Sequence, residues 1–236
     1  MKLIDLSNSN DLYKDIVGKS YSEINHFWLG LRDYNLIWDL QKQLHSMVVS
    51  KDIKNLILYL EHNNVYTLGK NSNLHHILSS KPKEVEIIQS DRGGDVTYHG
   101  PGQLVGYPII NLNDFKKSVS WYMRTLERVV IDTLNTYEMK SHIKEGLAGV
   151  WVGDEKICAM GVRMARWSTM HGFALNVSTN LDYYDGMIPC GIFEYGVTSI
   201  NKVKNSEFEL YKTAKIIGMN FNKLFLSENI KLLENA

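Results

Sequence analysis

The sequence predicts an α+β fold, in which helices pack on a hairpin-rich, mixed or antiparallel sheet. Apolar residues recur at three- and four-residue spacing in three separate stretches, the mark of amphipathic helices. Between them lie short β-branched and aromatic runs bounded by Gly, Pro, Asn and Asp, which read as strands. Strands and helices do not alternate regularly, which speaks against a doubly wound parallel sheet.

The first helical stripe is Ile37, Leu40, Leu44, Met47 and Val48, with Asp33 or Asn35 available to cap its start. Leu56-Ile57-Leu58-Tyr59-Leu60 reads as a buried strand and Val85-Glu86-Ile87-Ile88 as another. From Asp91 to Gly102 the chain is so dense in Gly, Pro and His that it reads as loop throughout, and Leu104 to Leu112 follows as a strand. A second helix is expected from about Ser118 to Leu134, with Met123, Leu126, Val130 and Leu134 in register. Gly149 to Val152 and Lys156 to Val162 read as paired strands around the turn Gly153-Asp154-Glu155. Thr169 to Val177 forms one more strand, and a last amphipathic helix runs from about Glu207 to Leu226.

A chain of 236 residues with 44% apolar and 22% charged residues suits one globular domain, here taken as residues 1–236. Its 26 basic and 26 acidic residues cancel, which argues against a nucleic-acid partner, since phosphate binding relies on excess clustered Lys and Arg. Cys158 and Cys190 make no disulfide framework, the N-terminus has no secretory pattern, and no apolar run reaches the roughly 18 residues of a membrane span. Reduced thiols in the cytoplasm are therefore expected, with no membrane partner.

The segment Arg92-Gly93-Gly94-Asp95-Val96-Thr97-Tyr98-His99-Gly100-Pro101-Gly102-Gln103 stands out. Glycine permits positive φ and close backbone approach, so Gly93-Gly94 can present N–H groups to a carbonyl or anion. Neither dinucleotide-binding nor phosphate-loop spacing is present. A tight connection needing glycine only for geometry would explain the Gly-Gly pair. The concentration of Arg92, Thr97, His99 and Gln103 in the same loop favours a binding site.

RGGDVTYHGPGQLVGYPI resembles the signature of the lipoyl(octanoyl) transferases, of the biotin/lipoate protein ligase superfamily. Lys156-Ile157-Cys158-Ala159-Met160-Gly161-Val162-Arg163, His171-Gly172-Phe173-Ala174-Leu175-Asn176-Val177, and Ile188-Pro189-Cys190-Gly191-Ile192 with Val197-Thr198-Ser199 are similar to the same family, in the same order. Glu61-His62 to Thr67-Leu68-Gly69 is similar too, so the likeness covers roughly residues 60 to 200. The resemblance implies a ligase-like catalytic domain. It implies Cys190 as nucleophile, Lys156 as its partner, and an acyl pocket lined by Arg92, Gly93, Gly94, Asp95, Val96, Thr97, Tyr98, His99, Ala159, Met160, Gly161, Gly172, Phe173 and Ala174.

Read without the family, a lone cysteine is usually a small buried hydrophobe and a lysine at a strand start a solvated charge. Chemistry explains the pairing: a thiol of reference pKa about 8.5 is only slightly ionised at neutral pH, and a nearby ammonium or neutral amine can favour or make the thiolate. Cys158 is the rival nucleophile, because strict alternation would put it on the same strand face as Lys156. The resembling motif carries a small side chain such as Ala there, which assigns the role to Cys190.

The implied reaction moves octanoyl from octanoyl-acyl carrier protein to Cys190 and then to a lipoyl-domain lysine, with Lys156 shuttling the proton. Its acceptors are the lipoyl domains of 2-oxoacid dehydrogenase E2 subunits and the glycine cleavage H protein. Backbone N–H groups near Gly161 or Gly93-Gly94 are the candidate oxyanion donors. Thioester-to-amide conversion drives the reaction, so no cofactor or metal is expected. For the acidic carrier, Arg163, Arg166, Lys81 and Lys83 are candidate contacts. Two other readings stay open: an ATP-dependent lipoate or biotin protein ligase, which would not need Cys190, and a non-catalytic acyl- or lipoyl-binding module, which would need neither Lys156 nor Cys190.

Overall fold

The computed structural model describes residues 1–188 and 195–234, with side chains to residue 227. In chain order the elements are β1 (Leu3–Asp5), α1 (Leu12–Gly18), β2 (Ile24–Arg32), α2 (Tyr34–Ser50), β3 (Asn55–His62), β4 (Val65–Leu68), β5 (Glu86–Gln89), β6 (Thr97–His99), β7 (Gln103–Ile109), α3 (Val119–Asn135), β8 (His142–Lys144), β9 (Leu147–Val152), β10 (Glu155–Ala165), β11 (Ser168–Asn176), β12 (Gly196–Val197), α4 (Ile200–Lys204) and α5 (Leu210–Glu234). The large sheet has the order β1-β2-β3-β7-β11-β10-β9-β8, with β12 added to β10, and a three-stranded sheet has the order β5-β4-β6. β1, β2 and β3 run parallel while β7 to β11 pair antiparallel, so the large sheet is mixed, as expected of an α+β fold.

Local chemistry sets the helix starts. Asp33 caps α2, its carboxylate accepting the Leu36 N–H at 2.9 Å. Ser118 caps α3 in the same way through the Trp121 N–H at 3.2 Å. The helices then cover the two faces of the large sheet. Phe27, Leu29, Leu56, Leu58, Leu60, Val105, Tyr107, Ile109 and Ala174 face α1 and α2. Ile57, Tyr59, Leu104, Val150, Phe173 and Leu175 face α3 and α5, where Phe221 and Phe225 stack at 4.0 Å. Each such side chain, once fully buried, contributes about 1.5–3 kcal/mol. Among the described residues no helix is long and apolar enough to cross a membrane.

Several sequence expectations need correction. The stretch 91–102 is not loop throughout: Thr97–His99 is strand β6, antiparallel to β4 with Thr67 opposite Thr97. A strand of three residues is too short to show a period. The strand expected to reach Leu112 ends at Ile109, where a single 3₁₀ turn begins soon after. The last helix starts at Leu210 rather than Glu207 and runs on to Glu234. β2 gives no alternating signal because it is buried on both faces, polar residues included: Asn25 donates to Ser22 O (2.8 Å) and Asn55 O (3.1 Å), and His26 lies 3.1 Å from the Tyr59 hydroxyl and 2.7 Å from Asn222 Oδ1.

Candidate active site

β10 decides which side chains face which way. Its pairing with β9 sets Lys156 opposite Trp151 and Cys158 opposite Val150, with a slip between them, so Ile157 is the extra residue of a β-bulge. Ile157 and Cys158 both enter the core beneath α3 and α5. Lys156 therefore falls on the other face, with Nζ 4.8 Å from the centre of the Trp151 ring. This is the face that carries Ala159 and Gly161. The expectation that Lys156 and Cys158 share a face is thus overturned, because alternation holds only for an unbroken ladder. Nor is Lys156 a solvated edge charge: it is 7% exposed, held between β9 and β12, beside Val197. Cys158 is fully buried, and burial pushes its thiol far above the ordinary range, which makes it a poor nucleophile.

A cavity lies over the face of β10 and β11 that carries Ala159, Gly161, Gly172 and Ala174. Its floor is the cross-strand pairs Ala159–Ala174 and Gly161–Gly172 of β10 and β11, and its wall is the glycine-rich loop. Arg92, buried, holds that loop: its Nε donates to Thr67 Oγ1 at 3.1 Å, its Nη2 donates to Thr67 O and Oγ1, and its Nη1 donates to Gly93 O at 3.0 Å. The Gly93 N–H donates to Val162 O at 2.9 Å, so this group is already engaged and is unsuited as an oxyanion donor. The space beside two of the floor glycines is filled by protein. A Cβ on Gly161 would lie 2.8 Å from the Gly93 carbonyl oxygen, and one on Gly172 would fall on the Gly106 carbonyl.

Of the residues singled out from sequence, Arg92, Gly94, Asp95, Val96, Thr97, His99, Ala159, Met160, Gly161, Gly172, Phe173 and Ala174 line this cavity. Gly93, Tyr98 and Lys156 do not. On β6 the side chains alternate, so with Thr97 and His99 turned inward the Tyr98 ring stacks on Tyr183 (5.2 Å) and its hydroxyl donates to Asn64 Oδ1 at 2.8 Å. Tyr34, Tyr107 and His171 also line the cavity and were missed. The last two stand within the quoted family-like segments. Tyr34 comes from the start of α2, and no local pattern marks it.

Burial disfavours the charged form of both cavity imidazoles, His99 and His171. His99 Nδ1 donates to Gln103 Oε1 at 2.8 Å, and Gln103 is oriented by its amide donating to Tyr98 O (3.1 Å), Asn176 Oδ1 (3.0 Å) and Tyr184 OH (3.0 Å). Burial holds His99 well below the usual imidazole range. His171 adopts φ +56° in mid-strand, which turns its ring toward Trp38 of α2 and Tyr107 of β7. Its Nε2 donates to Asp91 Oδ1 at 2.7 Å, while Asp91 also meets Arg163 Nη1 at 2.9 Å and accepts from Trp38 Nε1 at 3.2 Å. The His171 bond, above all, lowers the Asp91 carboxyl to about 2. Of the candidate carrier contacts, Arg163 is tied to Asp91, and Lys81 donates to Pro82 O (2.8 Å) and Val85 O (2.6 Å); Lys83 and Arg166 are exposed.

Cys190, with Pro189, Gly191 and Ile192, lies outside the described residues. One flank of that segment is tied to the cavity wall and the other to Trp151 and Lys156. On one side the Ile188 N–H donates to His76 O at 2.8 Å, and His76 Nδ1 donates at 2.5 Å to Asp95, a cavity-wall residue. On the other side Tyr195 packs 5.2 Å from the Trp151 ring, and Val197 pairs with Lys156.

Comparison with known proteins agrees with this geometry. Residues 33–222 match the lipoyl protein ligase A/B catalytic domain. The chain is 43% identical to an octanoyltransferase of Christiangramia forsetii, over 85% of this chain and 94% of that one. It is 46% identical to an octanoyltransferase of Flavobacterium johnsoniae, over 73% and 83% of the two chains. A bipartite lipoate protein ligase of Thermoplasma acidophilum shares the fold with a TM-score of 0.65 at 13% identity, covering 85% of this chain and 83% of that one. A biotin protein ligase of Aquifex aeolicus shares it with a TM-score of 0.51 at 12% identity, covering 88% and 71%. The chain belongs to the lipoyl protein ligase A/B catalytic family, and within it to the octanoyltransferases of protein lipoylation.

Proposed function

We propose that this octanoyltransferase works through a thioester on Cys190, formed from octanoyl-acyl carrier protein and resolved by a lipoyl-domain lysine. The Cys190 thiolate attacks the carrier thioester; the C–S bond to the pantetheine sulfur breaks, and that thiolate leaves and takes a proton. The lysine amine then attacks the acyl-enzyme, an amide forms, and the Cys190 thiolate is released. Lys156 gives a proton to the leaving pantetheine thiolate in the first step and takes one from the attacking amine in the second. With the Gly93 N–H spent on Val162, the oxyanion donors belong to Gly94 or to the backbone near Gly161. The apolar floor, Ala159 and Ala174, takes the acyl methylenes, which contribute about 0.8 kcal/mol each, on the order of 5 kcal/mol for the chain.

The acceptors in this reading are lipoyl domains of 2-oxoacid dehydrogenase E2 subunits and of the glycine cleavage H protein. The location is the cytoplasm, where thiols stay reduced, and no cofactor enters the reaction. The observation that carries the reading is where the described flanks lie: Ile188 bonds to His76, which holds the cavity-wall residue Asp95, and Val197 pairs with Lys156. The test is intact-mass measurement after incubation with octanoyl-carrier and no ATP. One hydroxylamine-labile octanoyl adduct is expected on the wild type and none on Cys190→Ala. An unmodified wild type, or an adduct that survives Cys190→Ala, overturns it.

A further inference from the structure

Two buried polar atoms of cavity-lining residues have no hydrogen-bond partner among the described residues, the Tyr34 hydroxyl and His171 Nδ1. The acyl-transfer chemistry gives His171 Nδ1 no task. Because Nε2–H is given to the Asp91 carboxylate, Nδ1 carries the lone pair and is an acceptor. The residue holds this position against its backbone preference: φ is +56° inside a strand, and its own N–H leaves the ladder pattern to donate to Gln41 Oε1 at 2.9 Å.

Its place along the cavity is set by register. The floor starts on the Lys156 side at the Ala159–Ala174 pair and reaches the Val162–His171 pair three residue steps later. At about 3.3 Å per residue that is roughly 10 Å. An extended eight-carbon chain of C–C bonds near 1.5 Å spans about the same length. A chain begun at the Lys156 end therefore stops at the imidazole, and two further carbons would press alkyl against a buried acceptor.

We propose that His171 is a specificity-determining residue that makes the far end of the acyl cavity polar, so that longer chains are accepted when they end in a hydrogen-bond donor such as a hydroxyl. The proposal rests on the acyl-enzyme reading above and adds the second substrate class, ω-hydroxyacyl thioesters. A plain decanoyl chain strips Nδ1 of any donor, whereas an ω-hydroxydecanoyl chain supplies one.

The experiment measures single-turnover acylation of the intact enzyme by octanoyl-, decanoyl- and ω-hydroxydecanoyl-carrier thioesters. For the wild type, decanoyl should react about tenfold more slowly than octanoyl, and the terminal hydroxyl should restore most of that loss. His171→Leu should remove the penalty on decanoyl and the benefit of the hydroxyl. His171→Asn, which tolerates the left-handed backbone and keeps an acceptor, should preserve the wild-type order. Equal rates for decanoyl and ω-hydroxydecanoyl in the wild type overturn the proposal, even if His171→Leu does not fold. A His171→Leu enzyme that keeps the wild-type order overturns it too. Absence of any octanoyl adduct would instead refute the acyl-enzyme chemistry, which separates the two failures.

Discussion

Replacing Gly161 by alanine tests how the cavity wall is seated on its floor. The added methyl would sit 2.8 Å from the Gly93 carbonyl oxygen, 3.3 Å from Arg92 Cδ and 3.5 Å from Arg92 Nη1. The nearest of these is backbone. It cannot retreat freely, because the Gly93 N–H is bonded to Val162 O at 2.9 Å on the adjoining residue. Overpacking of this kind costs about 1–3 kcal/mol. For a chain of this size that lowers the midpoint of thermal unfolding by about 2–4 °C per kcal/mol, so a fall of roughly 2–12 °C is expected. The same displacement lifts the loop that carries Arg92 and Gly94, and kcat/KM for octanoyl transfer should drop at least about tenfold, the equivalent of 1.4 kcal/mol. Gly18→Ala is the control: it lies at the end of α1 with nothing within 4 Å, and should be neutral or slightly stabilising. Scanning calorimetry and initial rates on both variants suffice. A Gly161→Ala enzyme with wild-type melting and wild-type kcat/KM would show that the loop does not rest on β10.

Three more outcomes follow from the same coordinates. Gly69→Ala should cost about 3 kcal/mol in urea unfolding, because its Cβ would fall on the Gly94 carbonyl; an unchanged midpoint would contradict the packing of β4 on the loop. Native protein should alkylate at one thiol. Cys158→Ala should leave that count and the turnover near wild type, since Cys158 is fully buried, and rapid labelling of Cys158 in the folded Cys190→Ala protein would show otherwise. Stability should decline with acid in two windows. Burial holds His26 and His62 at about 4, so between pH about 6.5 and 4 the unfolded chain binds protons that the native one refuses, a loss on the order of 2–3 kcal/mol for each imidazole. Asp91, held at about 2 chiefly by its bond to His171, adds a further loss as pH falls from about 3.8 through 2. A urea midpoint that does not move between pH 7 and 5 would mean that these histidines are not buried neutral.

Much of the molecule could be read from local pattern. The stripe Ile37, Leu40, Leu44 and Val48 is buried as a helical face should be, and the capping aspartate is Asp33. The glycine-rich segment does line a cavity, with Ala159, Gly161, Gly172 and Ala174 across from it. What could not be read shares a physical cause. β2 carries Asn25 and His26 at buried positions because distant groups, Asn55 and Asn222, satisfy them, so composition hides the strand. Arg166 and Trp167 form the tip between β10 and β11 with φ of 51° and 60°, a turn usually marked by Asn-Gly, and no such dipeptide is present.

The residue types, their order and the short-range periodicities belong to the sequence alone, and they were enough to select an α+β fold and to single out the glycine loop, while Lys156 and Cys190 were marked by family resemblance. Which way Lys156, Cys158 and His171 face was settled only in three dimensions. One extra residue in the β10 ladder, Ile157, sends Lys156 toward Trp151 and Cys158 into the core, and a left-handed turn of the backbone at His171 swings an imidazole toward the cavity. Both depend on register with neighbouring strands and on partners such as Gln41 and Asp91, 130 and 80 positions away, and no local pattern encodes contacts of that range.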